Sequence, residues 1–184
     1  IPELAGEVAA EYLVTPPGLD FRNYDMALAG GARRWGDLEI GEVIDHVDST
    51  TIEEAEHMMA TRLWQNTARV HFDATAREDG RRLVYGGHVV SLARALSYDG
   101  LEGAQPVVAL NAGSHVAPCF AGDTITAWSE ILDKAECDVP GAGAVRLRLV
   151  GARAGTEPGP VRADEGAYRE GVVLDLDFWA LHPR

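Results

Sequence analysis

The chain has 184 residues, 46% of them hydrophobic, a size that suits one globular domain with a tail and a proper core rather than two domains. Its formal net charge of −13 argues against nucleic acid as a partner, because phosphate binding needs a basic face that this composition does not supply. It lacks an apolar run of about 18 residues and a charged-then-apolar leader, so no membrane partner is expected and the expected setting is soluble and cytoplasmic.

Residues 1–33 begin with Ile1 and are punctuated by Pro16-Pro17-Gly18, which predicts a linker or wrap-around arm with further sequence ahead of it; the domain proper is expected over 34–184. Gly41 to Val47 reads as a short strand. Ser49-Thr50-Thr51 followed by Glu53-Glu54 offers two capping boxes, Thr50 to Glu53 and Thr51 to Glu54, and predicts a helix from Thr51 with Ile52, Ala55, Met59 and Leu63 on its core face. That helix runs into RLWQNTARVHFD, Arg62–Asp73, where His71 stands five residues after Asn66. The spacing brings an amide and an imidazole to one turn, where they could grip a single water, and imidazole is the side chain best suited to proton transfer near neutral pH.

Gly86-Gly87 lets another group approach the backbone closely at the start of a helix over 88–97. Val89, Val90, Leu92, Ala93 and Leu96 wrap most of that helix in apolar side chains, which predicts burial inside a curved sheet. The period then changes to two, with strands expected over 107–112, 124–132, 144–153 and 172–181, and a mobile Gly/Pro-rich excursion over 154–169. One buried helix wrapped by later antiparallel strands is an α+β arrangement. Cys119 and Cys137 are isolated, and the six histidines show no HxxxH or HExxH spacing, so neither a metal site nor a thiol nucleophile is expected. Arg62, Arg69 and Arg81-Arg82 lie close in sequence to His71, where an anionic small molecule could be held.

The order Trp35-x-Asp37-x-x-Ile40-Gly41, TIEEAEHMMATRLWQNTARVH, RRLVYGGHVVSLARAL and VAPCFAGDTITAW resembles the MaoC-like (R)-specific enoyl-CoA hydratases of the hot-dog fold, over roughly 34–184. HMMATRLWQNTARVHF, HVAPCFAGDTITAWSE and VVLDLDFWAL are similar to the second half of the mesaconyl-CoA hydratases, or β-methylmalyl-CoA dehydratases, within that group. The resemblance implies an antiparallel sheet wrapped around a central helix and reversible hydration of an enoyl-CoA, with mesaconyl-CoA as the first substrate and no cofactor, coenzyme A being part of that substrate. It implies Asn66 and His71 as catalytic residues, with Gly86 and Gly87 offering backbone N–H groups to the thioester carbonyl. Arg62 or Arg69 would meet the acyl carboxylate, Arg81-Arg82 the CoA phosphates, and Asp73, His88 and Ser91 would contact substrate; His115 would line the pocket and Gly122-Asp123 form a turn near the thioester tunnel.

Two departures stand out. The family pattern Asp-x-Asn-Pro-x-His is here Asn66-Thr67-Ala68-Arg69-Val70-His71, so the acid has become an amide. The two-unit relatives carry a preceding hot dog, which would here be a separate polypeptide, a removed segment, or a second copy of this chain in a homodimer. The alternatives to mesaconyl-CoA are another short or medium enoyl thioester, or a non-catalytic subunit that supports an active partner.

Overall fold

A computed structural model describes residues 6–104, 106–163 and 166–184. Its frame is a five-stranded antiparallel sheet in the order β1-β3-β4-β5-β2, where β1 is Val43–Thr51, β2 Val107–His115, β3 Thr124–Glu136, β4 Ala142–Arg153 and β5 Val172–Pro183. Two helices complete it, α1 (Glu54–Leu63) and α2 (Gly86–Leu96). This is the hot-dog arrangement expected from the sequence.

Alternation in β4 and β5 decides which side of the sheet holds the helix. Val145, Leu147 and Leu149 turn inward with Leu174 and Phe178, and they join Val89 and Ala93 of α2 in one core. Arg146 and Arg148 turn outward and pair with Asp177 and Asp175 of the neighbouring strand. Small residues let helix and sheet approach closely: Ala93 is fully buried, and a side-chain carbon built on Gly151 would lie 3.6 Å from its Cβ.

The outward side is apolar at both ends and is covered by the segments that the sequence makes look irregular. Ala10, Leu13, Leu19 and Phe21 of the arm pack on Ala142, Ala144, Trp179 and Leu181, and the Trp179 indole donates to the Val8 carbonyl at 2.9 Å. At the other end Val161 and Tyr168 pack on Trp128, Val150 and Val172, while the Trp128 indole donates to the Gly159 carbonyl at 3.1 Å. The described part of 154–169 is thus a packed cover, not the mobile excursion its composition predicts. Its Gly and Pro residues shape turns between two apolar anchors.

Two local expectations change. Ser49–Thr51 continue β1, pairing with Thr124–Thr126 of β3, and the helix starts at Glu54 behind Glu53, whose box partner is Glu56. The backbone of Thr50 and Thr51 is committed to the sheet and cannot cap a helix. The buried residues of α1 are His57, Met58, Ala60 and Thr61, whereas Met59 and Leu63, at 64% and 71%, are exposed. The polar members of the buried face are met partly within α1, where Thr61 donates to the His57 carbonyl and His57 approaches Glu54, and partly by α2, whose His88 approaches Glu56.

Replacing Ala93 with Leu should cost about 1–3 kcal/mol by overpacking, read as a lower urea midpoint at unchanged slope. Stability should also depend on pH. Burial lowers the pKa of His46, His88 and His182 below the ordinary 6.5, so the unfolded chain binds more protons than the folded one in mild acid. The stability these groups confer is complete above pH 6.5 and is lost as pH falls toward their folded values. Urea midpoints from pH 7.5 down to 5 should fall, and less steeply for His46→Gln.

Candidate active site

α2 buries His88, Val89 and Ala93, leaves Ser91 and Ala95 exposed on its other side, and is open at its first turn. A cleft of about 650 Å³ forms there, walled by His71, Leu83–Gly87, Val89, residues 115–119 and Val173. Three backbone bonds hold the walls together. Leu83 N–H donates to the Val70 carbonyl, Val84 N–H to that of Cys119, and Val116 N–H to that of Val173, each at 2.9 Å. The segment carrying His71, the segment entering α2 and the turn after β2 therefore form one rim.

His71 is oriented by its neighbours. Its Nδ1 lies 2.9 Å from the Leu83 carbonyl oxygen, and because a carbonyl only accepts, Nδ1 carries the proton and Nε2 keeps a lone pair in the neutral ring. Its ring packs edge-wise with that of Tyr85, with centroids 5.9 Å apart and the planes at 67°. The glycine pair is a steric requirement. A side-chain carbon on Gly86 would lie 2.5 Å from Nε2 of His115, and one on Gly87 would lie 2.6 Å from the ring of Tyr85. With those carbons absent, backbone amides of the first turn border the cleft, ahead of the helix's own hydrogen-bond ladder.

His71, Gly86 and Gly87 are thus brought together, with His115 on the same wall, whereas Asn66, Arg62, Arg69, Asp73, His88 and Ser91 are not among the residues lining the cleft. Asn66 spends its amide oxygen on the Ala68 N–H at 2.9 Å, closing the turn after α1. Arg62 is exposed on α1 beside Met59 and Leu63, in a separate shallow groove. Arg69 forms an ion pair with Asp73 at 2.5 Å. The Thr75 hydroxyl and then Arg69 hold the Asp73 carboxyl down to about 2, which suits a turn anchor and not a general base. His88 is buried toward α1, with Nε2 3.2 Å from Glu56, because the third residue of α2 faces the helix and not the opening. Ser91 is exposed and donates back to the Gly87 carbonyl at 2.9 Å.

Arg82 pairs with Glu54, while the Arg81 guanidinium lies over the Phe120 ring at 3.9 Å, beside a small hollow that adjoins the rim. Tyr85 is a site residue that the sequence reading did not single out, although an aromatic directly before a glycine pair was its signal. Cys119 is buried on the cleft wall, and burial pushes its thiol up to about 11, so it stays a neutral apolar lining group.

A hot dog whose central helix opens beside a tautomer-fixed histidine places the chain structurally with the MaoC-like proteins. No protein-family model matches the chain. Across all 184 residues it is 66% identical to a mesaconyl-CoA hydratase from Cereibacter sphaeroides, and over 191 aligned residues 50% identical to a β-methylmalyl-CoA dehydratase from Chloroflexus aurantiacus. A crystal structure of a MaoC domain protein dehydratase from Chloroflexus aurantiacus superposes with a TM-score of 0.92 at 49% identity, covering 100% of this chain and 54% of that one. Over its whole length the chain is similar to these MaoC-like proteins, and it spans about half the length, 54%, of the curated relatives it matches.

The contact between Gly86 and His115 makes a double-mutant cycle informative. Gly86→Ala alone should destabilise by about 1–3 kcal/mol through the clash. In a His115→Ala background the same change should cost less than half as much, by thermal or urea unfolding.

Proposed function

We propose that this chain supplies the catalytic unit of an enoyl-CoA hydratase that reversibly converts mesaconyl-CoA to β-methylmalyl-CoA. The observation that carries this reading is the juxtaposition, in one largely apolar cleft, of His71 with a free Nε2 and the open first turn of α2. The names of the two curated relatives supply the substrate.

The chemistry follows from those parts. The thioester carbonyl docks on the N–H groups at Gly86-Gly87, where fixed donors and the positive end of the helix stabilise the enolate that forms on addition. Nε2 of His71 takes a proton from water as its oxygen attacks the β-carbon. The imidazolium, still held through Nδ1–H, then returns that proton to the α-carbon. One imidazole serves as base and acid in turn, which accommodates an amide at position 66 that cannot carry a proton. Asn66 then contributes by closing the turn that presents His71. Coenzyme A enters as part of the substrate.

A second hot-dog unit would pair along β2. That strand is bonded to β5 on one side only, and Leu110 stands 66% exposed on it. Continuing the sheet covers such an edge, and a unit like the other half of the longer relatives, or a second copy of this chain, is the partner we infer.

The purified protein should consume mesaconyl-CoA with loss of enoyl-thioester absorbance. His71→Ala should lower kcat by about 10²- to 10⁴-fold with an unchanged thermal midpoint. Turnover of crotonyl-CoA without mesaconyl-CoA would refute the substrate. Turnover of neither, with His71→Ala altering stability alone, would make the chain a supporting subunit.

A further inference from the structure

A dicarboxylic acyl group brings a charge into a cleft that has almost nothing to meet it. Among the described residues, its ionisable lining groups are His71, Tyr85, His115 and Cys119, with no arginine or lysine. The arginines around it are engaged elsewhere: Arg69 pairs with Asp73, Arg77 with Asp79 and Arg82 with Glu54, Arg81 lies over Phe120, Arg62 stands on the exposed face of α1, and Arg153 donates to the Pro118 carbonyl and faces Asp123. Cys119 is held neutral by burial, and His71 is committed through Nδ1 to Leu83. Tyr85 can donate a hydrogen bond but carries no positive charge. His115 remains, and the hydratase mechanism makes no use of it.

Its position suits the task. His115 is the last residue of β2, and its ring fills the space where Gly86 would otherwise carry a side chain. Nε2 therefore sits in van der Waals contact with the residue whose backbone N–H opens α2. In a mesaconyl thioester the free carboxylate is bonded to the β-carbon, trans across the double bond from the thioester carbonyl. A carbonyl seated on the first turn of α2 places that carboxylate only three bonds away, within reach of a group packed on Gly86. A ring N–H donated to that carboxylate makes a charge-assisted hydrogen bond, stronger than one between neutral partners.

Resting on the hydratase reading, we propose that His115 is the specificity-determining residue that binds the acyl carboxylate and makes this cleft select dicarboxylic over monocarboxylic enoyl thioesters. The glycine at 86 is then demanded twice, once to expose the amide and once to seat the imidazole. The same residue accounts for how the site receives a charged acyl chain with no arginine on its walls.

Binding of saturated esters tests this without turnover. Calorimetric Kd values are compared for succinyl-CoA, which carries the carboxylate, and butyryl-CoA, which does not. The unmodified protein should prefer succinyl-CoA by about tenfold or more, the range of a hydrogen bond to a charged group. His115→Gln should reduce that preference to near unity by weakening succinyl-CoA, and His115→Lys should retain it. In turnover, His115→Gln should raise KM for mesaconyl-CoA far more than it lowers kcat. A preference that survives in His115→Gln, or one absent from the unmodified protein, overturns the assignment. Equal loss of both esters also overturns it, since His115 would then hold the fold or the CoA moiety. Failure to hydrate mesaconyl-CoA at all would sink the parent reading, while the ratio of the two saturated esters would still report on His115.

Discussion

Burying a helix inside a sheet while leaving its first turn uncovered is the constraint on which the rest depends. The middle of α2 needs small, apolar contacts, met by Ala93 against β4 and β5. Its N-terminus needs acceptors for backbone N–H groups that no helix can satisfy internally. Sheet, entry segment and the turn after β2 stop short of covering that end, and the result is an apolar cleft with donors at its base. A thioester carbonyl is the kind of group such a place receives well, because the donors are fixed and little water competes.

The histidines around that turn divide the work by position. His71 reaches the cleft from the segment after α1, and the Leu83 carbonyl sets its tautomer. His115 reaches it from the end of β2 and packs on Gly86. His88, although adjacent to the glycine pair in sequence, points away into the contact with α1. Helical geometry explains the difference: the third residue of the first turn lies on another face from the first.

Much of the architecture was legible because it rests on periodicity. The all-round apolar character of residues 89–96 and the alternation in β4 and β5 point directly to a wrapped helix. That a glycine pair would admit a close neighbour at the start of α2 was legible for a related reason, since only glycine leaves that space, and the neighbour is the His115 ring. Rotations and covers were not. The buried face of α1 carries His57, Met58, Ala60 and Thr61, a mixture that apolar spacing does not pick out, and a run containing Met59 and Leu63 gives the opposite impression. The arm and the 154–169 segment look irregular because their anchors, such as Leu13, Phe21, Val161 and Tyr168, are spaced by turns. Proximity in sequence also misled for Arg62, Arg69 and Asp73, whose charges are spent on the surface or on each other. The loss of the acid at position 66 was visible in the sequence, but its structural meaning, an amide closing a turn, required the fold.

The central claim is that a thioester carbonyl is held by the opening of α2 opposite His71. A crystal structure of the protein with a bound unreactive CoA ester tests it most directly. The account predicts the carbonyl oxygen within hydrogen-bonding distance of the backbone amides at Gly86-Gly87, with the β-carbon facing Nε2 of His71. An ester seated instead in the groove along α1, or one whose carbonyl points away from the glycine pair, would contradict it.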